Sequence, residues 1–260
     1  MDKWIRFEHQ GVTGFGKLNG DTIAVYQGDM FESPRATGQT VPLGAVKVLA
    51  PVQPGKIIGL WNNFHQLATK LNLPEPPEPL YFIKSAGSVI GPGMPIRRPR
   101  TYDGKVVFEG ELGVVIGRTC SGVSEADAPQ YIFGYTCCND VTAAELLKKH
   151  SAIDGWTDWT RAKSFDSFGP IGPVIATGLD PAKLVVKSIL EGQERQNYPV
   201  GDMIFGPVKL VSLLSKDMTL FPGDIISCGT SVGVGSMKPG NKIEINIEGI
   251  GSLTNPFDPR

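Results

Sequence analysis

The sequence predicts a mainly β, α+β fold built on a rolled or sandwiched sheet, with a small β-rich module ahead of a larger domain. Three observations carry this. Short apolar runs recur along the chain, among them YFIK, VVFEGELGVVIG, YIFGYTCCNDV, GPVIAT, LVVKSILEG, DIISCGTSVGVG and KIEINIEGIGSL. Glycine (32) and proline (21) make up about a fifth of the chain and are scattered between those runs as turns, not gathered in a tract. Few stretches show the three-to-four-residue apolar spacing of a helix. With 260 residues the chain is long enough for a real hydrophobic core.

In chain order, WIRFEH, GVTGFGKLNG and DTIAVYQG read as short strands, with Asn19-Gly20 as a hairpin signal. Pro51 and Pro54 bound this module, so the expected domains are 1–55, small and β-rich, and 56–260. KIIGLW then reads as a buried strand. In NNFHQLATKLN the stripe Phe64, Leu67, Ala68 and Leu71 predicts a short amphipathic helix capped by Asn62 or Asn63. LPEPPEP must follow as an extended connection, and a stiff exposed stretch beside a short helix suits a lid. Two more helices are expected, over Glu125 to Gln130 and from near Thr142.

Composition excludes several classes. The formal net charge is −1 and charged residues are 20% of the chain, so no basic excess exists to neutralise phosphates and nucleic acid is not an expected partner. No run approaches the ~18 apolar residues of a membrane helix. The opening MDKWIRFEHQ carries charge where a signal peptide needs apolar residues. A soluble, cytoplasmic protein is the expectation. Cys137 and Cys138 are adjacent and would point to opposite faces of a strand, so reduced, buried thiols are expected, together with Cys120 and Cys228.

The strongest chemical signal is VVFEGELGVVIG. Period two puts Glu109 and Glu111 on one face, with stems roughly 6.6 Å apart. Like charges so close raise a pKa unless a cation intervenes, and a hard divalent ion with oxygen ligands resolves the conflict. The competing reading is a half-exposed strand with its polar face in water. Asp140 ends the apolar run YIFGYTCCND, where it can serve either as a third ligand or as the N-cap of a TAAELLKK helix. The loop Gly229 to Gly235 lacks the lysine of a phosphate loop, and the MKPGNKIEIN that follows is a turn and a strand, so a nucleotide cradle is not expected. His9 and His150 have no motif around them.

The order of motifs resembles the fumarylacetoacetate hydrolase family over about residues 55 to 257. The matching blocks are GLWNNFH, FEGELGVVIG, GYTCCND, RAKSFDSFGPIGP, EGQERQ, LFPGDIISCGTSVGVG and IEGIGSL. The resemblance implies a mixed β-roll catalytic domain, usually dimeric, holding Mg²⁺ (or Mn²⁺ or Ca²⁺) on Glu109, Glu111 and Asp140. It also implies that Lys163, Gly229 and Thr230 grip a substrate oxygen or carboxylate and that His65, in the lid, activates water. Three positions depart from the family pattern. Ala68 stands where a glutamate orients the histidine, and Ala144 and Leu147 stand where an arginine and a glutamine hold a pyruvoyl carboxylate. Arg161, Lys148 and Arg195 are the candidate replacements. A 1,3-dicarbonyl or 2-oxo acid is the natural chelator for such an ion. The expected activity is therefore Mg²⁺-dependent hydrolysis of a carbon-carbon bond in a dioxo acid, in catabolism of aromatic or related compounds. The alternatives are a decarboxylase or keto-enol isomerase on the same metal site, or a catalytically silent metal-binding paralogue.

Overall fold

The computed structural model describes residues 1–147 and 157–258. The N-terminal part forms the meander β1 (Lys3–His9), β2 (Val12–Asn19), β3 (Thr22–Gln27) and β4 (Arg35–Pro42), followed by the short β5 (Lys47–Val48). Next come β6 (Ile57–Trp61), helix α1 (His65–Leu71), β7 (Leu80–Lys84), β8 (Val89–Ile90), β9 (Ile96–Arg97), β10 (Val106–Phe108), β11 (Gly110–Ile116), β12 (Ile132–Asn139) and β13 (Thr142–Ala143). The remainder comprises α2 (Trp159–Lys163), β14 (Gly169–Ala176), β15 (Val185–Leu190), β16 (Gln193–Pro199), α3 (Pro207–Asp217), β17 (Ile225–Ser227), β18 (Gly235–Ser236), β19 (Lys242–Ile247) and β20 (Gly251–Asp258). Among the described residues no helix is long and apolar enough to cross a membrane.

A large sheet in the order β4-β3-β2-β1-β14-β12-β11-β17-β6-β7 runs through the molecule, and a second sheet, β16-β15-β19-β20-β9, lies over it. Strands β15, β19 and β20 pack on β11, β12 and β14, which makes the sandwich. The central strand β11 is buried along its whole length, as a strand covered on both faces must be. Cys137 and Cys138 join the apolar clusters on opposite faces of β12, and all four cysteines are buried and free.

The N-terminal meander extends the main sheet through β1, whose Trp4 is paired with Ile175 of β14. The Trp4 ring meets Tyr26 edge-on at 5.0 Å and Phe133 at 6.1 Å, so one aromatic side chain ties the meander to β12.

The helices differ from the expected ones. Over Glu125 to Gln130 only a 3₁₀ turn at Ala128–Tyr131 forms, because Pro129 has no N–H to continue an α-helix. Thr142 and Ala143 are claimed by β10 as a strand partner, and a 3₁₀ turn follows at Ala144–Leu147. The rest of the expected helix, with Lys148 and His150, lies outside the described residues. Helix α1 starts at His65, with Phe64 at its N-cap and not Asn62 or Asn63. Helix α3, whose buried face includes Leu210, Val211 and Leu214, was not legible, since VKLVSLL reads equally well as strand.

Gly110 separates the two glutamates for a packing reason. A Cβ there would lie 2.2 Å from Ser188 Oγ and 2.9 Å from Ile245 Cδ1. Gly110→Ala is expected to destabilise the protein by about 1–3 kcal/mol, read as a fall in melting temperature.

Candidate metal centre

The register of β11 against β12 builds the site. Gly110 lies opposite Asn139 and Glu111 opposite Cys138. Asp140, one step further, falls across from Glu109 and donates its N–H to Glu109 O at 2.9 Å. The ladder is interrupted at Glu109, whose own N–H is satisfied by Asn139 Oδ1 at 3.0 Å. Gly110 N–H donates to Gln196 Oε1 at 3.0 Å, and Gly110 O accepts from Tyr198 and from Thr230 Oγ1. The backbone between the two glutamates is thus held on both edges. One oxygen from each of Glu109, Glu111 and Asp140 lies within 4.8 Å of the others.

Two lysines are buried with this cluster. Lys163 Nζ sits 2.7 Å from Glu109 Oε2 and 2.5 Å from Asp140 Oδ2. Lys84 Nζ, at the end of β7, sits 2.5 Å from Asp140 Oδ1 and also donates to the backbone carbonyl of Lys163. Lys163 is therefore a buried partner of the carboxylates. Lys84 was not among the sequence candidates. The available signal was a lysine closing the apolar strand YFIK in phase with the buried Phe82.

Among the described residues no cation pairs with Glu111. Its Oε2 accepts from Ser227 Oγ at 2.6 Å and Gly229 N–H at 2.9 Å, while Oε1 is buried without a partner among the described residues. Ionising all three carboxylates would place three negative charges against the two lysines found here among the described residues, a costly buried state that a divalent ion would relieve. Burial, and then the charges of Asp140 and Glu109, push the Glu111 carboxyl well above its ordinary range. Burial also raises Glu109, against the pull of Lys163. Asp140 is buried as well, yet Lys163 and Lys84 hold it below its ordinary value. The orphaned Glu111 oxygen, the excess charge and the all-oxygen donor set fit a hard divalent cation.

The remaining candidates are placed as follows. Gly229 N–H is committed to Glu111, and its φ of +90° suits glycine. Thr230 Oγ1 donates to Gly110 O and accepts from Gln196 Nε2 at 2.9 Å. Both brace the glutamates from the side. His65 is about half exposed, makes no hydrogen bond to the carboxylates, and has Nδ1 2.5 Å from Glu75 Oε1.

Glu75 comes from the proline-rich stretch and supplies the carboxylate that Ala68 lacks, which the spacing of the sequence did not reveal. The chain returns after Asn72, in the left-handed region at φ 52°, and Asn62 Nδ2 fixes Pro74 O at 3.1 Å. Asn63 Nδ2 bonds Cys228 O at 2.8 Å, so the start of α1 is tied to the loop that holds Glu111. Arg161 lies over the Phe165 ring, and Arg195 is exposed.

This chain matches the model of the fumarylacetoacetate hydrolase C-terminal domain over residues 56–258, and that of the Rv2993c-like N-terminal domain over residues 2–51. It belongs to the fumarylacetoacetate hydrolase family. It is 36% identical to the oxaloacetate tautomerase YisK of Bacillus subtilis, over 82% of this chain and 73% of that one. It is similar to the crystal structure of a 2-hydroxyhepta-2,4-diene-1,7-dioate isomerase from Mycobacterium marinum, with TM-score 0.90 and 36% identity over 100% and 99% of the two chains. It is also similar to a maleylpyruvate hydrolase from Sphingobium sp. SYK-6 in complex with manganese(II) and pyruvate, with TM-score 0.78 and 26% identity over 99% of each chain. The family therefore contains hydrolase, isomerase and tautomerase enzymes around one fold.

Two outcomes are expected. Glu111→Gln removes the excess charge, so the rise in melting temperature on adding Mg²⁺ or Mn²⁺ is lost while the metal-free protein stays folded. The second concerns pH. Between the ordinary glutamate pKa and the raised native value, the native state holds protons that the unfolded chain has released. Metal-free stability therefore falls as pH rises through that window, and the penalty vanishes below the unfolded value. The stabilisation by Mg²⁺ should accordingly be larger at about pH 8 than at about pH 5.5, measured by thermal denaturation with and without the ion.

Proposed function

We propose that this protein is a Mg²⁺-dependent hydrolase that cleaves a carbon-carbon bond in a 1,3-dioxo or acylpyruvate-like acid, working as a homodimer in the catabolism of aromatic or related compounds. The observation that carries the reading is the convergence of Glu109, Glu111 and Asp140 around a buried Glu111 oxygen that has no partner among the described residues. A divalent ion held by Glu109, Glu111 and Asp140 would supply positive charge for electron density developing on substrate oxygens. Lys163 commits two of its three protons to Glu109 and Asp140, which leaves one donor for a substrate oxygen. The Glu75 carboxylate facing His65 Nδ1 favours the tautomer in which Nε2 accepts a proton from water. The resulting hydroxide adds to the far carbonyl, the bond to the neighbouring methylene carbon breaks with its electron pair staying on that carbon, the proton held at His65 Nε2 passes to it, and a carboxylic acid and a 2-oxo acid leave.

A second reading is a keto-enol isomerase or decarboxylase on the same site. It is supported by the names of the tautomerase and isomerase relatives and by the absence of any hydrogen bond from His65 to the carboxylates. Under the hydrolytic reading, His65→Ala lowers kcat by about 10²–10⁴-fold, as expected for loss of a general base, and Glu75→Gln lowers it less. The measurement is the decay of enol absorbance with quantification of both acids. Carbon dioxide as a product, or a single isomer with turnover intact in His65→Ala, selects the second reading.

A further inference from the structure

A cavity of about 450 Å³ lies at the seam between the N-terminal module and the larger domain. Arg6 of β1, strand β5 and the chain that leaves β5 build one side, and the turn after β7, strand β8 and Met94 build the other. Arg6 and Lys47 are the charged residues on its described lining, both positive, and most of the remaining wall is apolar, with Leu49, Val89 and Ile90 among it. Period two along β1 sends Ile5 and Phe7 into the core and turns Arg6 to the opposite face. There Arg6 is partly buried, and its guanidinium makes one long hydrogen bond, 3.5 Å from Nη1 to Ala50 O. The other donors of its fork have no acceptor, and no carboxylate forms an ion pair with it, among the described residues. Arg6 also borders a smaller cavity of about 270 Å³. Asp29 lines that second cavity and not the first, and Glu8, which is paired with Lys47 across the β1–β5 ladder, lines neither.

We infer that this seam is a binding site for a small organic monocarboxylate with an apolar body, held by Arg6 and separate from the metal centre. The planar guanidinium matches a carboxylate with two parallel hydrogen bonds, and its weak hydration makes a partly buried position less costly than it would be for a lysine. A cavity of this size at a junction between domains is larger than a bare carboxylate fills, so the apolar wall has room for the rest of the molecule. One negative charge suits the one partly buried cation, while Lys47 is exposed and adds attraction at the rim. The second charge of a phosphate dianion would instead lose hydration against Leu49, Val89 and Ile90. The inference does not rest on the reaction proposed above.

The test is a ligand-observed NMR titration of the full chain with 3-phenylpropionate, with the uncharged 3-phenylpropanamide and with inorganic phosphate, each in Mg²⁺ and again in EDTA. The acid is expected to bind on the order of 10-fold more tightly than the amide, equally in Mg²⁺ and in EDTA, and more tightly than phosphate. Arg6→Gln should remove the advantage of the acid. Met94→Glu, at an exposed position on the lining, leaves Arg6 in place and should remove it as well by setting a carboxylate beside the site. Because the readout is a ratio of affinities on one protein, partial loss of folded material does not mimic the effect. Equal binding of acid and amide, or no binding of the acid, overturns the inference. Binding of the acid that requires Mg²⁺ places it at the metal centre and overturns the separate site, and phosphate binding as tightly as the acid overturns the carboxylate assignment. A change of oligomeric state in Arg6→Gln, with no difference between acid and amide in the wild type, also overturns it and assigns the seam to a contact between copies of the chain.

Discussion

The structure depends on a buried imbalance of charge. Three carboxylates and two lysines are enclosed together, and the lysines serve Asp140 and Glu109 while Glu111 keeps one oxygen without a partner among the described residues. Burying a carboxylate without compensation is costly, so the surrounding fold must hold it in place. Much of the nearby hydrogen bonding does so. Ser227 and Gly229 hold one oxygen of Glu111, Gln196 and Thr230 clamp Gly110, and Asn139 closes the gap in the ladder at Glu109.

This arrangement explains why a long central sheet and a second sheet are both needed. β11 and β12 supply the ligands through their register, while β16, in the covering sheet, supplies Gln196 from the far side. Helix α2 contributes Lys163 at its end and Trp159 at its start, so one short element links the charged centre to the Phe82 ring beside it. The start of α1, tied through Asn63 to the loop after β17, holds His65 at a separate location with its own carboxylate partner.

Periodicity and motif order alone show the mainly β architecture, the free cysteines on two faces of one strand, and the grouping of Glu109 and Glu111. These are legible because alternation along a strand is a local property, set by backbone geometry over a few residues. Asp140 was ambiguous between cap and ligand, and its partnership with Glu109 came from an antiparallel register that no local pattern specifies. Lys84, Gln196 and Glu75 were not found, since each reaches its partner from an element distant in sequence or across a reversal of the chain. The same limit applies to the helices: Pro129 and the pairing of Thr142 with β10 changed the expected helix starts, and α3 formed over a segment whose pattern does not separate helix from strand. What the sequence determined is which residues share a face. Which faces meet, which buried charge lacks a partner, and which rings stand beside Lys163 were decided only by packing, because those outcomes depend on contacts between segments that sequence separation does not constrain.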